Sequence, residues 1–281
     1  MTRQRSFSDK QLTGRVQKSM RKTRDKRLKQ VMQSFVKHMH GFVRDVKPTP
    51  EEWFAGIQFL TETGHWCTGK RQEFILMSDT LGVSMLVDYL NNRSGGGATE
   101  STVLGPFHRE GAPEFPLGAD LHKPGTPGEL CVIRGSVRDA KGKPIANAKL
   151  DVWETDAEGL YDSQRGDDMN LRGILHTDAQ GKFWFRCVKP TDYPVPNDGP
   201  VGRMLKATGR HPMRPPHFHF WITAKGYRPL ITHLFVKGGR YLDSDAVFGV
   251  KPSLIVDFKK GRDGVHEAKY DFTLAKAAKK K

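Results

Sequence analysis

The chain predicts an α+β fold that is mainly β, with a helical N-terminal domain followed by a β-sandwich. Three observations carry this. Apolar residues recur at three- and four-residue steps before residue 92, which is the period of a helical face. After residue 130 the period changes to two, and turn residues arrive at short intervals, as in a sandwich. Between them, Ser94-Gly95-Gly96-Gly97 reads as a flexible connector.

The first helix is read from Leu28 through Val31, Met32, Phe35, Val36, Met39, Phe42, Val43 and Val46, and it stops before Lys47-Pro48. Thr49-Pro50-Glu51-Glu52 then supplies an N-cap, a proline at the first helical position and a capping-box glutamate. The second helix runs through Trp53, Ile57 and Leu60. A third spans Gln72 to Asn91, with Phe74, Ile75, Leu81 and Leu86 as core candidates. Strands are expected at Leu130–Val137, Lys149–Trp153, Lys182–Val188, His217–Thr223, Ile231–Val236 and Leu254–Phe258, with a turn at Asp139–Lys143. The domain plan is a basic, flexible arm (1–27), a helical domain (28–98), a β-sandwich domain (99–275) and a basic tail (276–281).

The net charge of +15 would suggest nucleic acid if it covered a folded face. Thirteen of those units come from residues 1–30 and 276–281, so the middle is nearly balanced. Charge runs of this kind are usually solvated, which argues against nucleic acid as the partner. No stretch approaches the length of a transmembrane helix, and no apolar block follows the N-terminal charges as a secretory signal requires. The three cysteines, Cys67, Cys131 and Cys187, show no CxxC spacing and read as reduced thiols of a cytoplasmic protein.

The most informative segment is Pro215-Pro216-His217-Phe218-His219-Phe220-Trp221. Residues two apart on a strand face the same way, so His217 and His219 present both imidazoles on one side and can share a metal ion. Partners remain open at this point. Asp151, Glu154, Asp156 and Asp162 offer carboxylates, whereas Tyr161 and Tyr193 offer phenolates, hard anionic donors suited to a ferric ion.

The run Arg214-Pro215-Pro216-His217-Phe218-His219 resembles the RPxHxH signature of the intradiol ring-cleavage dioxygenases. Leu150 to Asp156, followed by Gly159-Leu160-Tyr161, is similar to the segment with that family's first tyrosine ligand. Tyr193-Pro194-Val195-Pro196-Asn197-Asp198-Gly199-Pro200-Val201-Gly202 is similar to the segment with the second. The similarity continues through Thr99 to Pro113 and the N-terminal helices. The resemblance implies one Fe(III) per subunit, with Tyr161 and His217 equatorial and Tyr193 and His219 axial. It implies that a small aromatic diol or triol and O2 are the substrates. Tyr193 is then the ligand that leaves and accepts a substrate proton, and Arg214 stabilises negative charge on the ring.

Leu76, Val103, Leu104, Gly105, Pro106, Val195 and Pro196 correspond to the family's pocket walls, with ordinary core as their alternative reading. Asp79 and His233 stand where catechol-selective relatives tend to be apolar and to carry glutamine. Both departures resemble the branch that acts on hydroxyquinol (benzene-1,2,4-triol), with maleylacetate as product. Asp79 would then accept a hydrogen bond from the third hydroxyl, a local turn role being its alternative, and His233 would be a hydrogen bonder behind the ligands. The alternatives are cleavage of catechol or chlorocatechol to cis,cis-muconates and a non-catalytic transthyretin-like binding module. The resemblance further implies a homodimer through the N-terminal helices, with lipid at that interface.

Overall fold

The computed structural model describes residues 8–69, 71–92, 97–166 and 168–277. Seven helices are present among them: α1 (Asp9–Ser19), α2 (Lys26–Val46), α3 (Pro50–His65), α4 (Glu73–Thr80), α5 (Val83–Asn91), α6 (Asp162–Arg165) and α7 (Pro200–Ala207). The strands are β1 (Leu130–Asp139), β2 (Lys149–Trp153), β3 (Arg172–His176), β4 (Lys182–Val188), β5 (Tyr193–Pro194), β6 (Met213–Arg214), β7 (His217–Thr223), β8 (Leu230–Val236), β9 (Ile255–Val256), β10 (Lys259–Lys260) and β11 (His266–Leu274). Packing divides the chain into two compact units, one ending at Thr61 and one beginning at Glu62.

In the first unit, Asp25 caps α2 by accepting from the Arg27 and Leu28 amides at 2.8 and 3.0 Å. The helix stops at Lys47, whose left-handed φ of 51° precedes Pro48. The expected capping box opens α3. The Thr49 amide donates to Glu52 Oε2 at 2.8 Å, and the Glu52 amide donates to Thr49 Oγ1 at 3.2 Å. The basic arm expected over residues 1–27 contains regular structure. Residues 9–19 are helical, and α1 is joined to α2 by Thr13 to His40 at 3.0 Å and Gln17 to the Gln33 carbonyl at 2.9 Å. Residues 1–7, Ser94–Gly96 of the expected connector and 278–281 of the tail lie outside the described residues.

The second unit contains α4 and α5 together with the sandwich, so the expected boundary at residue 98 is not where packing divides the chain. The single helix expected over 72–91 is two helices, because Gly82 takes a left-handed φ of 72° between them. Phe74, Ile75, Leu81 and Leu86 are exposed, and Leu76, Asp79 and Met85 are buried instead. The inward face carries Glu73 and Asp88, each ion-paired to a cation, Arg71 and Lys251. A search for apolar periodicity alone therefore selects the wrong face.

The sandwich pairs a four-stranded sheet, β10-β11-β1-β4, with a five-stranded sheet, β3-β2-β7-β8-β9. Between them Ile133, Val137, Phe183, Phe185 and Phe272 of the first sheet pack with Leu150, Val152, Phe218, Phe220 and Leu234 of the second. The sequence reading missed β3, α7 and β11. In β11 the buried positions are His266, Ala268, Phe272 and Leu274, and a histidine and an alanine conceal the alternation. The expected strand at Leu254–Phe258 shortens to Ile255–Val256 after a 3₁₀ turn.

Candidate metal centre and substrate cleft

Strand β7 alternates as its sequence predicts. Phe218 and Phe220 enter the sandwich core, while His217 and His219 lie on the other face of the five-stranded sheet, also buried. Antiparallel register places Trp153 of β2 and His233 of β8 directly beside His219. The Trp153 ring stacks on His219 at 4.7 Å and 14°, and His233 meets it edge-on at 4.3 Å.

His217 Nδ1 lies 2.7 Å from the Pro215 carbonyl, which only accepts, so Nδ1 carries the proton and Nε2 presents a lone pair. That Nε2 is 3.1 Å from His219 Nε2. The Tyr161 hydroxyl completes the group, 2.8 Å from His219 Nε2 and 2.9 Å from the Tyr193 hydroxyl. Four polar tips from three separated segments thus converge on one spot.

Each tyrosine has its own support. Tyr161 precedes α6, whose buried Asp162 binds Arg172 and Arg109 at 2.6 Å, and Phe107 stacks on the phenol ring at 4.3 Å. Tyr193 lies in β5, paired with Arg214 of β6. Gly159 permits this approach: with φ at 77°, a Cβ there would stand 2.7 Å from Tyr193 Cβ. Gly105 similarly passes close to His219, where a Cβ would lie 3.4 Å from Cε1.

Burial pushes the Tyr161 phenol well above its usual range, and the neighbouring Tyr193 adds to this. Tyr193 is also raised by burial, against the opposing pull of Arg214. Burial drives His217, His219 and His233 well below the ordinary imidazole value, with adjacent positive groups adding to the effect. Arg214 stays charged. Its own burial opposes this, but Asp245, at 3.0 and 3.3 Å, outweighs the penalty. Its Nη1 lies 3.0 Å from His217 Nε2 and 3.4 Å from the Tyr193 hydroxyl.

The carboxylates that the sequence left open are engaged elsewhere. Asp151 meets His108 at 3.3 Å, Asp156 binds Arg165 at 2.5 Å, and Asp162 holds its two arginines. Glu154 turns toward Cys131 and Cys187, where burial raises its carboxyl well above the usual value. Those cysteines are free, with sulfurs 3.2 Å apart, and Cys67 is free as well.

A family model described as "Dioxygenase" matches residues 103–276, and one described as "Catechol dioxygenase N terminus" matches residues 25–99. The chain belongs to the intradiol ring-cleavage dioxygenases. A hydroxyquinol 1,2-dioxygenase of Rhizobium sp. is 49% identical to it over 87% of this chain and 83% of its own. A 6-chlorohydroxyquinol 1,2-dioxygenase of Cupriavidus pinatubonensis is 48% identical over 95% and 98%. The crystal structure of a hydroxyquinol 1,2-dioxygenase from Pseudomonas putida superposes with a TM-score of 0.89 at 45% identity, covering 96% of this chain and 99% of that one.

In this iron-dependent dioxygenase family member, the predicted wall residues divide into two groups. Leu76, Pro106, Val195 and Pro196 line a cleft of about 370 Å³ that also includes Phe107. Val103 packs in the apolar cluster of Leu76 and Val195, while Leu104 packs against the tyrosines. Asp79 is buried at the end of α4 within the electrostatic reach of Arg214 and Asp245. Burial raises its carboxyl above the ordinary value, and a hydrogen bond from Ser84 moderates that. His233 touches His217 and His219 by ring contact, and no well-aligned hydrogen bond joins it to either. Phe107, Trp153 and Asp245 were missed. Register beside an HxH strand could have suggested Trp153, whereas Asp245 carries no local signal.

Proposed function

We propose that this dioxygenase cleaves hydroxyquinol between its vicinal hydroxyls to maleylacetate, using one Fe(III) per subunit held by Tyr161, Tyr193, His217 and His219. The convergence of these four donor tips carries the reading. Two buried imidazole lone pairs and two buried phenols face one another, and a hard cation that ionises the phenols satisfies all four. When bound, ferric iron withdraws electron density from a coordinated diolate and makes the ring reactive toward O2.

The chain's own groups supply the rest. The Tyr193 oxygen accepts a proton from a substrate hydroxyl, and Arg214 Nη1, 3.4 Å away, lies where it stabilises negative charge on the ring. Leu76, Val195, Pro196 and Phe107 hold the ring and exclude water. Asp79 supplies an acceptor for the third hydroxyl, and the names of the similar proteins support this substrate. The exposed apolar stripe of Leu28, Val31, Met32, Phe35, Met39, Phe42, Val43 and Val46 supports a homodimer through these helices, with lipid at the contact. Among the described residues no helix is long and apolar enough to cross a membrane, and three free thiols support a reducing cytoplasmic setting.

The test combines a spectrum with a substrate comparison. Iron-loaded protein is expected to show a red-brown tyrosinate-to-iron band, weakened in Tyr161→Phe along with activity, and an iron-loaded wild type without such a band would refute the ligand set. Hydroxyquinol is expected to have a higher kcat/KM than catechol, and Asp79→Asn to reduce that preference about tenfold or more. A higher kcat/KM for catechol in the wild type would overturn the substrate.

A further inference from the structure

The segment that follows Tyr193 is pinned at both ends. At its start, β5 pairs with β6 and the Val195 amide donates to the Pro212 carbonyl at 2.9 Å. At its end stands Glu73, a carboxylate with no solvent exposure in the first turn of α4. Glu73 Oε1 accepts from the Val201 amide at 3.1 Å, in the first turn of α7, and Oε2 accepts from Arg71 Nε at 2.9 Å. Arg71 Nη1 reaches on to Asp198 at 2.8 Å, and its guanidinium lies 4.6 Å from the centre of the Trp66 ring. The backbone is pressed against this pair: a Cβ on Gly199 would stand 2.6 Å from Glu73 Oε1 and 2.8 Å from Arg71 Nη2. Between the two anchored ends lie Val195 and Pro196, and Arg71, Glu73 and Asp198 border the same cleft.

We infer that Glu73 and Arg71 form a clamp that positions the Val195–Pro196 wall of the cleft for substrate. Arg71 is thus a positioning residue that sets binding through the loop it ties down. The two ion pairs differ in character. The Glu73 contact is buried and fixes the geometry, whereas Asp198 is 67% exposed and its bond opens without leaving a buried charge. The inference rests on this cleft being the substrate site.

Arg71→Met, Arg71→Lys, Asp198→Asn and the Arg71→Met/Asp198→Asn double variant decide it, since each leaves the buried Glu73 in place. Steady-state kinetics on iron-loaded, full-length protein with both hydroxyquinol and catechol are expected to show KM raised about tenfold in Arg71→Met with kcat within about twofold. Arg71→Lys should recover part of the loss, and Asp198→Asn should add little once Arg71 is gone. Unchanged KM in Arg71→Met would overturn the clamp, as would a loss of kcat and thermal stability with no change in KM. If the wild type prefers catechol, the substrate reading falls, while the KM comparison run with catechol still decides the clamp.

Discussion

Phe218, Phe220, His217 and His219 are all buried on β7, yet its two faces are governed by different physics. On one, Phe218 and Phe220 meet Phe183, Phe185 and Phe272 across the sandwich, and their burial is favourable because each is surrounded by dispersion partners. On the other, His217 and His219 meet two phenols and a guanidinium, and burial there is costly because lone pairs face one another. The first face stabilises the scaffold, and the second draws on that stability to hold a buried polar cluster. Stability and activity should therefore separate along a single strand.

The sharpest way to break this comparison is to truncate each face in turn. His219→Ala is expected to reduce turnover to background and lower iron content while the thermal transition changes little in metal-free protein. Phe220→Ala should cost about 3–5 kcal/mol in denaturant unfolding and leave kcat per folded, iron-loaded molecule unchanged. Equal loss of stability from both would deny the division. A smaller effect is expected from Arg214→Gln, which keeps a polar donor but removes the charge and the guanidinium. Its kcat should fall by about 10²–10³ in steady-state assays, the cost of losing one preorganised electrostatic donor.

The smallest effect tests the buried carboxyl that directly follows β2. Glu154 has a folded-state pKa raised by burial, so its folded form favours the protonated acid. Stability from this group is fully present below its unfolded value of about 4.3 and is lost as pH rises toward the folded value. Glu154→Gln removes the ionisation, so its melting temperature should rise relative to wild type as pH increases above about 4.3, by a few degrees. A constant difference across pH would show that Glu154 does not titrate there.

Legibility in the sequence followed the range of the interactions. The HxH pair, the capping box at Thr49–Glu52 and the α2 stripe were readable because each depends on residues within a turn or two of one another. The Gly82 break and the inward faces of α4 and α5 were not, because Glu73 and Asp88 are buried against Val201 and Lys251, far along the chain. Tyr161 and Tyr193 were preferred to the nearby carboxylates only by family resemblance, since nothing in their local periodicity distinguishes them from other tyrosines.

By itself the sequence determined the order of a helical region and a sandwich, and the shared face of His217 and His219, because strand and helix periods are local properties of the backbone. Tertiary structure alone decided that the Tyr161 and Tyr193 hydroxyls close on those histidines, that Asp245 holds Arg214 charged beside them, and that Glu73 and Arg71 meet Val201 and Asp198 beside the cleft. Those contacts join residues tens of positions apart, and their distances are set by how the two sheets and the segments crossing their edges pack. No local pattern encodes them.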